Sequence, residues 1–109
     1  MKKEFKRIRK ISKKIIEKKH YKKIKKLQNY EDKTESLKYL VASKLELVFL
    51  ELEQKVREIE KKNNAILESK MIMLPSKIKI FKSTYKKRDY KIIEKLIAEI
   101  EEEIKCLIS

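Results

Sequence analysis

The side chains able to attack a substrate, to exchange protons near neutral pH or to hold a transition metal are scarce in this chain, which has one histidine, His20, and one cysteine, Cys106. Nucleophilic catalysis by serine or cysteine generally needs a histidine to take the proton. His20 stands among Lys18, Lys19, Lys22 and Lys23. A cluster of ammonium groups is a poor setting for a general base, so His20 reads as a solvated or phosphate-contacting residue. Structural zinc takes four Cys or His ligands, and one of each cannot supply them. Among the carboxylates, Glu99 and Glu103 lie one turn apart on a helical face. Such a pair can bind a hard cation or share a proton. Acids opposite an Ile/Leu stripe are also what any exposed helix carries, so Glu99 and Glu103 read as a solvated helix face. With no glycine at all, the chain cannot build a dinucleotide-binding, phosphate-binding or EF-hand loop. The expectation is a protein that is not an enzyme and takes neither cofactor nor metal.

The chemistry that remains is electrostatic. The net charge is +14, and it is unevenly spread. Residues 1–26 hold 14 Lys or Arg against two acids, Glu4 and Glu17, or +12. A second concentration lies in 77–91, where seven cations meet only Asp89, giving +6. The last eighteen residues are acidic, with five glutamates against Lys95 and Lys105. A dense cationic surface attracts polyanions because phosphates release counterions on meeting it. The candidate nucleic-acid contacts are Lys6, Arg7, Arg9, Lys10, Lys13, Lys14, Lys18, Lys19, Lys22, Lys23, Lys25 and Lys26, and in the second segment Lys82, Lys86, Lys87 and Arg88. Phe5, Tyr21, Phe81, Tyr85 and Tyr90 stand among these charges and could stack on bases. Phe5, Phe81 and Tyr85 also share stripes with isoleucines, which favours core positions for them. Only four arginines are present, Arg7, Arg9, Arg57 and Arg88, which fits contact with the phosphate backbone better than bidentate reading of guanine.

The elements that must position these cations read as helices throughout. Without glycine and with one proline, the chain lacks hairpin and bulge residues. The pattern predicts a single all-α domain over 1–109, a small bundle of three to four amphipathic helices. The first helix, about 3–27, has a narrow apolar stripe of Phe5, Ile8, Ile11, Ile15, Ile16, Ile24 and Leu27, with lysine on every other face. Like charges at i,i+4, such as Lys10 with Lys14, oppose it. A turn is expected near 28–30, before an N-terminal signature of Asp32 and Glu35.

A long helix over about 34–66 follows, its seam formed by Leu37, Val41, Leu45, Val48, Leu52, Val56, Ile59 and Ile66 at near-heptad spacing. Such a helix reaches roughly 50 Å, long for a domain of this size. Two explanations compete. Either it pairs as a coiled coil with Asn63 setting register, or Asn63 and Asn64 end it and Ala65–Met73 forms a separate turn. Pro75 is expected to stop whatever contains Met71 to Leu74, with Ser76 capping a short basic helix through Ile78, Phe81 and Tyr85. Asp89 is expected to cap a last helix whose Ile93, Leu96, Ile97, Ile100, Ile104, Leu107 and Ile108 make a broad apolar face.

The longest run free of charge, Met71 to Ser76, is far shorter than the ~20 apolar residues that span a bilayer. The lone cysteine and the lack of an apolar signal segment point to a reducing, cytoplasmic setting. Three classes of function compete. The first is an accessory protein holding RNA or DNA through lysine-rich surfaces, largely independent of sequence. The second is an interaction module, an inhibitor or a small subunit, joining a partner protein or itself through the 37–66 seam or the 92–108 helix. The third is a peripheral binder of anionic membranes using the basic first helix; the lack of tryptophan counts against it.

Overall fold

In the computed structural model, which describes residues 2–59 and 64–108, five helices and no strand are found among the described residues. They are α1 (Lys2–Ile15), α2 (Lys18–Lys25), α3 (Tyr30–Glu58), α4 (Ala65–Thr84) and α5 (Lys87–Ile108). The all-helical expectation holds, and the expected three or four helices become five. α1 packs on α3, α4 and α5 form an antiparallel hairpin, and α3 joins the two pairs. One apolar cluster runs through the molecule, with Ile8, Leu37, Val41, Leu74, Phe81, Ile93 and Ile100 fully buried.

The expected first helix, 3–27, is broken. Glu17 is extended, at φ −62° and ψ 143°, so α1 stops and α2 restarts behind it. Two causes combine. The Ser12 hydroxyl donates to the Ile8 carbonyl at 2.6 Å, a back-bond that weakens and bends helices. Between Ile16 and Ile24 the stripe has no aliphatic residue to hold a straight continuation. Turning at Glu17 instead lets Ile24 bury itself against α3.

The long helix starts earlier and ends earlier than expected. Asn29, not Asp32, is its cap: the Asn29 side chain accepts from the Asp32 backbone N–H at 2.7 Å and its amide donates to the Asp32 carboxylate at 3.0 Å. Asp32 thus sits at the third helical position of a cap three residues before the expected one, and its carboxylate accepts from the Asn29 side-chain amide rather than from the Asn29 backbone N–H of a capping box. At the far end α3 closes at Glu58. Asn63 lies outside the described residues, and Asn64 caps α4 by accepting from the Leu67 N–H at 3.0 Å. Leu37, Val41, Leu45 and Leu52 face this chain's own helices, while Ile66 belongs to α4 and is 58% exposed.

Pro75 does not stop a helix; it lies inside α4, which fuses the two short segments expected on either side. A proline there costs roughly 3 kcal/mol by deleting a backbone donor. Burying Leu67, Leu74, Ile78 and Phe81 along one uninterrupted face returns more, at about 1.5–3 kcal/mol for each side chain. The following corner needs a left-handed residue. With no glycine to take it, Tyr85 adopts φ 48° and ψ 33°, its N–H donating to the Phe81 carbonyl at 2.6 Å. α5 begins at Lys87, two residues before its expected cap. Asp89 instead accepts a hydrogen bond from the Thr84 hydroxyl, and so ties the corner across its own turn.

Candidate nucleic-acid interface

α1 buries Ile8, Ile11 and Ser12 and leaves Lys3, Lys6, Lys10 and Lys13 exposed at three- and four-residue intervals, a single ridge of ammonium groups. Lys14 is exposed beside it. Arg7 and Arg9 are half-buried, and the Nε atom of each is buried with no hydrogen-bond partner. α2 and its C-cap expose Lys18, Lys19, Lys22, Lys23, Lys25 and Lys26, along with His20. Among the described residues, Lys19 is the one cation of α1 and α2 within ion-pair distance of a carboxylate, 3.4 Å from Glu17. Little of the N-terminal charge is therefore neutralised internally.

The second basic segment comes to the same end of the molecule. Lys38 of α3 pairs with Glu4 of α1 and with Glu35, and its ammonium lies 5.2 Å from the Tyr85 ring centre at the α4–α5 corner. The hydrogen bond from Lys38 holds the Glu4 carboxyl below its usual range, and the same bond raises Lys38. Lys14 Nζ lies 6.0 Å from the Tyr90 ring centre at the start of α5. Segments far apart in sequence thus converge, and Lys86, Lys87, Arg88 and Lys91 are exposed on the stretch that holds Tyr85 and Tyr90. Lys82 differs from these. It donates to Glu46 at 2.5 Å, a bond that raises its pKa and occupies its charge.

The aromatic rings singled out from the sequence are largely committed elsewhere. Phe81 and Tyr90 are core residues, and burial with Glu94 nearby pushes the Tyr90 hydroxyl up to about 12. Phe5 packs against Tyr30 with ring centres 5.1 Å apart and has Arg9 and Lys33 within 6.0 Å. Tyr21 is covered by Lys25 at 5.6 Å. The ring left open is Tyr39, 72% exposed, beside His20, Lys23 and Leu40 in a groove of about 480 Å³ between α2 and α3. Its place outside the Leu37/Val41/Leu45 seam was visible in the sequence. Its proximity to α2 was not.

Among the described residues no group of three or more His, Cys, Asp or Glu stands where it could hold a metal ion. Nor is any helix among them long and apolar enough to cross a membrane. Fold and surface together define an all-α protein with one strongly basic end. Compared with known proteins, the chain matches no family model, no curated protein and no solved structure.

Proposed function

We propose that this protein is a non-enzymatic accessory factor that binds RNA or DNA through the phosphate backbone, largely independent of sequence, using α1, α2 and the α4–α5 corner. The observation that carries this reading is the shared location of two lysine-rich segments whose charges, Lys19 and Lys82 apart, have no carboxylate partner among the described residues. Phosphates would supply the missing counter-charge and release their own counterions. Lysine predominates over arginine on this surface, which supports backbone contact without base readout. Tyr39 beside His20 and Lys23 offers one ring on which an unpaired base could stack.

The test changes exposed cations only. Deleting 1–26 would also remove Ile8 and Ile11 and strip α3 of its cover. One variant carries Lys6→Gln, Lys10→Gln and Lys13→Gln; another carries Lys86→Gln, Lys87→Gln and Arg88→Gln. Binding to a random single strand and to a duplex is followed by fluorescence anisotropy over a range of salt. Each lost phosphate contact flattens the slope of log K against log salt by about 0.7–0.9, so each triple change should flatten it by about 2 to 3. The loss should be equal for unrelated sequences. Wild-type binding no tighter than about 100 μM near physiological salt would refute the proposal.

A further inference from the structure

We infer that the groove between α2 and α3 holds one unpaired base of a single strand, stacked on Tyr39, and so adds to the phosphate contacts one that a duplex cannot make. This rests on the nucleic-acid reading and deepens it by naming the class of strand. The first reason is the ring itself. Of the five tyrosines, four have a lysine ammonium near the ring centre: Lys25 at 5.6 Å from Tyr21, Lys33 at 5.3 Å from Tyr30, Lys38 at 5.2 Å from Tyr85 and Lys14 at 6.0 Å from Tyr90. Tyr39 is 72% exposed, and among the described residues no cation and no second ring lies over it. A ligand reaches this face without displacing a side chain.

The second reason is where the ring stands. Tyr39 lies one turn from Glu35 and Ser36 on α3, and His20, Lys23 and Ile24 share one face of α2, so that the two helices enclose a groove of about 480 Å³. That volume falls within the roughly 300–1,000 Å³ of sites that take a small organic ligand. Ile24 and Leu40 make the groove apolar. Glu35 also lines it, 70% exposed and 3.7 Å from Lys38. A carboxylate there repels a phosphate, whereas its oxygens accept from the N–H groups on the edge of a base. Phosphates are left to the rim, where Lys22, Lys23 and Lys26 are exposed and, among the described residues, have no carboxylate within ion-pair distance.

The third reason is the division of labour this creates. An aromatic ring with cations beside it is how single strands are held without sequence readout, because every base has a face to stack. In a duplex both faces of each base are covered by its neighbours, and exposing one costs unstacking. Tyr39 therefore gains its contact from an unpaired base alone, while the ridge on α1 meets the phosphates of either form.

Fluorescence anisotropy with the full chain compares an oligothymidylate of about 12 nucleotides with an abasic strand and a duplex of the same length. The oligothymidylate should bind about 5- to 150-fold more tightly than the abasic strand, the span of one base stack. Equal affinity for the two overturns this inference and leaves the nucleic-acid reading standing. If none of the three binds more tightly than about 100 μM near physiological salt, both fall. Tyr39→Ala should remove the advantage of the oligothymidylate and leave duplex binding within about twofold, with the slope of log K against log salt unchanged because no charge is lost. Tyr39→Phe should keep the advantage. An equal loss on strand and duplex overturns the inference. If Tyr39→Ala lowers the helical circular dichroism signal, the abasic comparison, which changes no residue, decides alone. The chain has no tryptophan, so Tyr39→Trp supplies a single indole that oligothymidylate should quench and inorganic polyphosphate should not. Equal quenching by polyphosphate would place a phosphate in the groove and overturn the inference.

Discussion

Replacing Ile8 with alanine tests whether α1, which carries the ridge of lysines, is held in place by its own core. Ile8 is fully buried against α3, next to Ile11. The change deletes about three methyl or methylene groups at about 0.8 kcal/mol each, or ~2.4 kcal/mol of transfer free energy. A cavity term of about 24 cal/mol per Å³ adds to this, reduced because a helix packed chiefly on one neighbour can settle inward. The expected loss is about 3 kcal/mol, a large part of the 5–15 kcal/mol typical of a domain. Urea unfolding followed at 222 nm should show the midpoint falling with the m-value unchanged, and Tm should drop by about 10–13 °C. Ile108→Ala, at a position 70% exposed, should change stability by less than about 0.5 kcal/mol. An Ile8→Ala loss below about 1 kcal/mol would mean that α1 is not docked and that the convergence of the basic segments does not hold.

Two further outcomes follow from single polar groups. The Thr34 hydroxyl is buried with no hydrogen-bond partner, so Thr34→Val should stabilise the fold by about 1 kcal/mol and raise Tm by about 4 °C; a lower Tm would show that the hydroxyl is satisfied. The Glu4–Lys38 pair should contribute about 0.5–1 kcal/mol at pH 7, discounted because Glu4 is 36% exposed. The folded Glu4 carboxyl lies below its usual 4.5, so that contribution is present above pH 4.5 and is lost as pH falls through the folded value. Glu4→Gln and wild type should therefore differ in urea midpoint at pH 7 and converge as acidification protonates Glu4; a difference that does not shrink with falling pH would refute the pairing.

Much of the local structure was legible in the residues themselves. A chain without glycine and with isoleucine and leucine at helical spacing has little else to form, and the broad face of α5 buries Ile93, Leu96, Ile100 and Ile104 as its period required. The concentration of cations in two segments was equally plain, since it needs only the order of residues.

What the tertiary structure decided were the matters settled by larger, non-local free energies. Caps, like-charge pairs and a proline act on the scale of a few tenths to about 3 kcal/mol within one turn. The burial of a whole helix face sums several side chains at about 1.5–3 kcal/mol each, and it overrode the local signals at Pro75 and at Glu17. The same burial turned the Leu37–Leu52 seam toward this chain's own α1, α4 and α5, and left Leu47, Leu50, Met73 and Ile80 facing outward. The meeting of the two basic segments depends on the α4–α5 hairpin returning beside α1, held there through Glu4, Lys38 and Tyr85. No periodicity within either segment encodes that return, because the contacts that produce it, Glu4 with Lys38, Lys38 with Tyr85 and Lys14 with Tyr90, join different helices far apart in sequence.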